Sequence, residues 1–321
     1  MIEVLEPGLL TTVQDAGRPD WTHLGVPVGG ACDTWGLAVA NLLAGNTPDA
    51  AALEMTIAGP SLRVLDDIVV GVAGADLGGS LRPGRATRLR AGATLEFPGT
   101  TSAPGARAYL ALAGGIDAPL VLGSSSTALG AGFGGLNGRP LRAGDVLRGG
   151  AAARRAGDAV WPVTTDEPEL GGDEPPLRVV RGPAARKGRL EALIGGSWAV
   201  AAGSDRVGLR LEGPPVAASR GSAILSHGVT FGSIQVPPDG QPIVLLADGQ
   251  TTGGYPVAAV VISADRPRLG QLRPGARVAF EAVSLDAARE ALMRRTSALG
   301  RAAEILRESA GWDDLWQAAG G

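Results

Sequence analysis

The chain is punctuated too often to be built from long helices. Its 50 glycines and 23 prolines are spread along the 321 positions and gather in no low-complexity block. Between them lie short apolar runs: Ile68 to Ala75, Ala108 to Ala113, Trp198 to Ala202, Ile243 to Ala247 and Val257 to Ala264. Runs of this length bounded by Gly or Pro read as strands joined by turns, so the chain is mainly β. One small unit recurs: Leu89-Arg90-Ala91-Gly92, Leu141-Arg142-Ala143-Gly144 and Leu272-Arg273-Pro274-Gly275, each followed by a strand-like segment. The third position of a type II turn needs φ > 0, which glycine supplies, so these units read as structural corners.

The length favours two domains. Ala156 to Pro176 is acidic, rich in proline and without periodicity, and reads as a linker. This gives a first β domain over 1–157, a linker over 158–176, a second β domain over 177–284 and a helical tail over 285–321. Two echoes suggest duplication: His23 to Gly29 resembles His227 to Gly232, and Glu54 with Gly59-Pro60 resembles Glu212-Gly213-Pro214. A helix is expected over Asp33 to Leu43, capped by Asp33, with Trp35, Leu37, Ala38 and Leu42 facing the core. A second is expected from about Ala184 to Leu193. In the tail, Leu285, Leu292, Leu299 and Leu306 fall every seventh position, Arg295 interrupts the seam, and Gly300 is expected to divide it into two helices. The favoured packing sets this tail against its own barrel.

A net charge of -3 with scattered arginines leaves no footprint for nucleic acid. Cys32 is the only cysteine, which excludes an internal disulfide and a cysteine-based zinc cage. The first residues carry acids where a secretion signal needs bases, and no apolar run approaches the ~20 residues of a membrane helix. A cytoplasmic protein away from membranes is expected. Lys187 is the only lysine, flanked by Arg186 and Gly188. It therefore forms no Walker phosphate loop and no biotin-carrying hairpin, and no other amine is available for Schiff-base chemistry.

Some apparent motifs fail. Gly130, Gly132 and Gly135 have dinucleotide-loop spacing but run into Leu136-Asn137-Gly138-Arg139-Pro140, which cannot open a helix. Gly123-Ser124-Ser125-Ser126 lacks the second glycine of a nucleophile elbow. With only His23 and His227, no metal-ligand spacing exists. Three segments remain. Gln14, Asp15 and Arg18 place amide, acid and base where a strand ends; they also suit a turn in which Asp15 and Arg18 pair. Arg206 and Arg210 could clamp a carboxylate or phosphate, or stand as solvated charge. Gln235 to Pro242 and Asp248 to Pro256 bring Gln235, Asp248, Gln250, Thr251, Thr252 and Tyr255 around the paired Gly253 and Gly254. Such amide and hydroxyl groups match the donors and acceptors of an amide substrate, and the same glycines would also serve an ordinary hairpin.

Val13 to Arg18, Leu24 to Pro27 with Asp33, Ala40-Asn41 with Gly45-Asn46, Leu53-Glu54 with Gly59-Pro60, Arg206 to Gly213 and Gln235 through Pro256 resemble allophanate hydrolase subunit 2. That family includes the C-type subunit of 5-oxoprolinase and KipA-type proteins, and the resemblance covers nearly the whole chain. It implies two tandem cyclophilin-like β-barrels with a C-terminal helical segment. It implies a B-type (KipI-like, allophanate hydrolase subunit 1) partner, and in the 5-oxoprolinase system a separate A-type subunit and ATP. In fused relatives such as urea carboxylase the module is half of a carboxyltransferase fed by carboxybiotin on a separate carrier. The expected role is that of the C-type subunit of an ATP-dependent 5-oxoprolinase, inactive alone and carrying no covalent cofactor. The alternatives are a carboxyltransferase half acting on urea or a related amide, and a regulatory binder of a KipI-like kinase inhibitor. On this reading Arg206 and Arg210 hold a substrate carboxylate or phosphoryl group, and Gln14, Gln235 and Gln250 orient the amide. Asp248 or Asp15 is the base, Tyr255 a proton donor, and Arg18, Thr251, Thr252, Gly253 and Gly254 complete the site.

Overall fold

A computed structural model describes residues 1–150, 158–162, 176–185, 188–216 and 225–318, with side chains to Ser309. Lys187 lies outside the described residues. The architecture is mainly β, with two sheet bodies in tandem and a C-terminal helix.

The N-terminal body has two antiparallel sheets. One has the strand order Ala159–Val160, Arg85–Leu89, Ile68–Gly74, Arg107–Leu112, Ala52–Thr56, Leu10–Gln14. The other has the order Thr94–Glu96, Ser61–Val64, Ile2–Glu6, Val146–Leu147. Alternation along the strands divides the first sheet into two faces. Leu53, Met55, Val70, Val72, Leu110 and Leu112 meet Ile2, Val4, Leu62, Leu95 and Leu147 of the second sheet in one core. The intervening residues Ala52, Val69, Ala73, Tyr109 and Ala111 face the other way, onto helix α1 (Thr34–Leu43). The same alternation puts Glu54, Arg107 and Tyr109 on the α1 face, with Glu54 directly opposite Tyr109. Helix α1 lies very close to this sheet, because a Cβ on Gly71 would come within 2.1 Å of the Ala40 carbonyl oxygen.

Asp33 caps α1 as expected, its carboxylate accepting the Gly36 N–H at 2.8 Å. The three Leu-Arg-Xaa-Gly corners are turns: Gly92, Gly144 and Gly275 have φ of 90°, 87° and 84°. Each closes through a backbone bond to the arginine carbonyl two residues before the glycine, from Ala93, Asp145 and Ala276 respectively.

The C-terminal body is one eight-stranded sheet in the order Arg277–Val278, Trp198–Val200, Gly208–Glu212, Ile243–Leu245, Ser233–Gln235, Val257–Val261, Leu177–Arg181, Phe280–Ala282. Its two edge strands are separated in the chain by Ala279 alone, so the sheet almost closes on itself. A short ribbon pairs His227–Gly228 with Thr252–Gly253. Helix α2 (Arg189–Gly195) begins later than the expected Ala184, and α3 (Arg266–Gln271) abuts the N-terminal body.

Three expectations need correction. The linker cannot start at 158, because Ala159–Val160 pairs with Arg85 and Ala86 and Trp161 is buried beside Trp35; positions 163–175 lie outside the described residues. Gly300 does not divide the tail, which is one helix, α4 (Leu285–Ala318). Nor does that helix stay on its own barrel. Ala291 packs on Ile262 and Ala264, while Ala298, Ala302 and Leu306 join the core of α1, with Trp35, Val39 and Trp161. Of the four leucines at seven-residue spacing only Leu299 and Leu306 face a core, that of the N-terminal body, while Leu285 and Leu292 are exposed.

Candidate active site

The two bodies meet through buried polar groups, and the candidate site sits at that junction. Arg206, just before the strand Gly208–Glu212, projects into the N-terminal body and is 3% exposed. Its Nε and Nη2 donate to both oxygens of Asp248 at 2.9 and 3.0 Å. Nη2 also donates to the Gly30 carbonyl at 2.7 Å, and Nη1 to Glu54 and to Cys32 Sγ. A guanidinium has five N–H donors, and here each has an acceptor. Glu54 in turn accepts from the Tyr109 hydroxyl at 2.7 Å and the Cys32 N–H at 2.8 Å, with Arg107 at 3.5 Å.

Burial by itself would raise the Glu54 carboxyl. The Arg206 and Arg107 guanidiniums, with the Tyr109 and Cys32 donors, hold it below the usual value instead. Burial pushes the Cys32 thiol up to about 11, despite Arg206 beside it. Asp33 is pushed up to about 6 by burial, opposed by its bonds from Gly36 and Gln271. Gln271 is a second rivet. Its carbonyl oxygen accepts from the N–H groups of Ala106 and Arg107, both at 3.0 Å, and its amide donates to Asp33 at 2.6 Å.

Next to this network lies a loop assembled by Asp15. Its Oδ1 accepts from the Gly17 N–H at 2.8 Å, from Ser124 Oγ at 2.6 Å and from Ser126 Oγ. Its Oδ2 accepts from the Ser125 N–H at 2.6 Å. Arg18 runs beside them, 2% exposed, over the Phe133 ring at 5.1 Å. Its Nε and Nη2 donate to the carbonyls of Val121, Ser124 and Ser126. Its Nη1 is buried without a partner. Burial lowers this guanidinium's pKa from the ordinary value, opposed by Asp15 and Asp248. Gly29 stands across from Nη1, tied to the C-terminal body by its N–H bond to the Ala247 carbonyl at 2.9 Å.

The expected residues therefore divide into groups. Asp248 and Arg206 are joined, with Arg18 and Asp15 alongside. Arg206 and Arg210 do not form a clamp, since Arg206 is saturated by protein acceptors and Arg210 is exposed on the outer side of its strand. Gln235 is 1% exposed and accepts from Gln250 at 3.1 Å, while its own Nε2 has no partner. Gly253 lies over that amide, where a Cβ would approach Nε2 within 2.4 Å. Thr251, Thr252, Gly253 and Gly254 form the partly exposed ribbon with His227, and Tyr255 is 43% exposed at its end. Gln14 is buried, donating to Thr12 and the Thr127 carbonyl, with its Oε1 unpartnered.

Sequence reasoning missed Glu54 as a site residue, together with Arg107, Tyr109, Gln271 and Gly29. One signal was present. Glu54 is an acid inside a strand buried on both faces, a setting that demands a cationic partner. Ser124 and Ser126, dismissed as nucleophiles, serve as donors to Asp15. Among the described residues no group of His, Cys, Asp and Glu could hold a metal, and no helix is long and apolar enough to cross a membrane.

One buried ion pair, Arg206 with Glu54, and the hydrogen bonds of Gln271 thus join the two β bodies at a polar junction. The chain belongs to the family described as carboxyltransferase domain, subdomain A and B, which matches residues 24–282. It is 37% identical over 299 residues to the 5-oxoprolinase C-type subunit of Escherichia coli (strain K12), covering 91% of this chain and 94% of that one. The corresponding protein of Haemophilus influenzae is 37% identical over 302 residues, covering 90% and 93%. Among solved structures, the Kluyveromyces lactis urea carboxylase superposes with a TM-score of 0.84 at 30% identity, covering 94% of this chain and 29% of that chain. This chain thus spans less than a third of that larger enzyme.

Proposed function

We propose that this chain is the C-type subunit of an ATP-dependent 5-oxoprolinase, acting on the lactam of 5-oxoproline together with a B-type and an A-type subunit. The observation that carries this reading is the 37% identity to the Escherichia coli 5-oxoprolinase C-type subunit along 94% of that protein's length. The site chemistry supports an amide substrate. Asp248 is a carboxylate held at both oxygens by Arg206 and 12% exposed at its side chain, so it presents a fixed acceptor at the junction. Arg206 is a positioning residue here, because its own donors are fully engaged. Asp15 likewise orders the Ser124 to Ser126 loop, and that loop supplies two of the three carbonyls holding Arg18. The Gln235 and Gln250 amides and the Thr251 to Tyr255 ribbon form the second wall of the proposed site.

ATP binding falls to the assembled enzyme, since the sequence offers no phosphate loop, and the chain is inactive without its partners. The protein acts in the cytoplasm. The structural similarity to urea carboxylase favours one second reading, a carboxyltransferase half acting on urea or a related amide with carboxybiotin on a separate carrier. Glutamate release from 5-oxoproline and ATP, with each subunit omitted in turn, tests the proposal. Release that requires this chain supports it. Undiminished release without this chain, or none from the complete assembly, sinks it.

A further inference from the structure

A cleft of about 680 Å³ lies between the two β bodies, and neither Arg18, Arg206 nor Asp248 lines it. One wall is the segment 101–105 of the N-terminal body. The other is Ser197 with the segment 271–273 and 276–279 of the C-terminal body. Its volume is that of a small-molecule site. Of the candidate-site residues, Gln271 alone reaches it. Charge in the lining is of one sign: among the described residues Arg273 and Arg277 line the cleft and no carboxylate does. Arg273 donates through Nε to the Gly105 carbonyl and through Nη1 to the Thr100 carbonyl at 2.7 Å. These bonds tie the segment 101–105 to the corner Leu272 to Gly275. Its Nη2 is buried with no acceptor among the described residues. Buried donors are normally satisfied, so one left over beside a cleft marks the place of a ligand acceptor. The Arg277 side chain is exposed and, among the described residues, makes no hydrogen bond or ion pair. Ser102 and Ser197 add hydroxyl groups, and Pro104 and Leu272 add apolar surface.

We propose that this cleft binds a phosphate-bearing small molecule, with Arg273 and Arg277 on the phosphate and Pro104 and Leu272 against its body. Two guanidiniums and two hydroxyls with no acid beside them suit an anion rich in acceptor oxygens. A phosphate monoester offers three such oxygens and about 1.5 to 2 negative charges at pH 7. A carboxylate offers two oxygens and a single charge, which leaves one arginine unmatched. A cation is repelled by both arginines, and a neutral ligand leaves their charge uncompensated. Because the walls belong to different bodies, a bound ligand ties the segment 101–105 more firmly to the C-terminal body. It therefore favours the docked arrangement of the two.

This inference is independent of the proposed function, and the full chain alone suffices to test it. Calorimetric titration at constant ionic strength, with phenyl phosphate and with inorganic phosphate, reads the binding directly. Phenyl phosphate is expected to bind saturably at one site, more tightly than inorganic phosphate, and to raise the thermal midpoint. Arg277→Gln removes an exposed side chain that makes no bond, so it is expected to melt like the parent without ligand. Its affinity for phenyl phosphate is expected to fall about tenfold or more. Arg210→Gln, at an exposed arginine of the C-terminal body outside the cleft, is expected to bind like the parent. Absence of saturable binding overturns the inference. So does parent-like binding by Arg277→Gln, or an equal loss in Arg210→Gln, which would mark attraction by net charge alone. Each of these results leaves the functional assignment standing.

Discussion

Arg206 and Glu54, 152 positions apart, form an ion pair in which both side chains are at most 3% exposed. Because Arg206 also carries Asp248, one guanidinium helps dock the two β bodies and sets the orientation of the partly buried carboxylate at their junction.

Removing Arg206 should be far more damaging than removing an ordinary arginine. Arg206→Met leaves Glu54 and Asp248 without their main cation, and breaking a buried pair from one side costs about 3–5 kcal/mol. Chemical denaturation should show this loss. Arg206→Lys, which keeps the charge but not the fork, should recover only part of it. A change within the range of a surface substitution would mean that the pair does not hold the bodies together.

Asp33 and Glu54 should give opposite pH dependences. The folded pKa of Asp33 lies at about 6, above the ordinary 3.8, so folding favours its protonated form. Its contribution is complete below pH 3.8 and is lost as pH rises through about 6, a change of roughly 3 kcal/mol at 1.36 kcal/mol per unit. Glu54 is depressed, so its contribution is present above the ordinary 4.5 and is lost as pH falls through its folded value. Asp33→Asn keeps an oxygen for the α1 cap and should flatten the decline in stability between pH 4 and 6, read from denaturant midpoints. A parent protein with no such decline would refute the assignment.

Cys32 should be inert in the folded chain. It is fully buried, and with its pKa near 11 only about one thiol in a thousand is ionised at pH 8. Titration with an aromatic disulfide reagent should release one equivalent per chain at the rate of unfolding, and stoichiometric release within seconds from the native protein would contradict the burial.

The C-terminal helix should contribute to the stability of the N-terminal body. Leu306→Ala removes a side chain 5% exposed against the α1 core, and such truncations cost about 2–5 kcal/mol. Leu292→Ala, at a position 43% exposed, should cost much less, and thermal melts of the pair distinguish a docked helix from a free arm.

The fold was legible where the signal is local. Asp33 before an amphipathic run predicts its cap, and each Leu-Arg-Xaa-Gly unit predicts a turn from four residues. The sequence singles out Gln14, Asp15, Arg18, Arg206, Gln235, Asp248 and Gln250 as polar candidates, and of these the structure sets Asp15, Arg18, Arg206 and Asp248 side by side, but their pairings were not legible. Arg206 and Arg210 share a sequence neighbourhood, yet the chain turns between them, burying one and exposing the other. The serine partners of Asp15 lie 109 to 111 residues away, in a run that carries no catalytic pattern. The face of α4 was not legible either: its leucine spacing marks a helix, but Leu285 and Leu292 are exposed and the alanines Ala291, Ala298 and Ala302 carry much of the packing.

In the C-terminal body, the strand Leu177–Arg181 pairs in parallel with Phe280–Ala282, the last strand of the sheet. On a ribosome the first of these emerges long before its neighbour exists. Until then its edge offers unpaired N–H and C=O groups to any other chain, and closure must wait for contacts between the extremes of the segment. Translation that stops before Phe280 therefore leaves Leu177–Arg181 as a longer open edge, available for pairing with another chain.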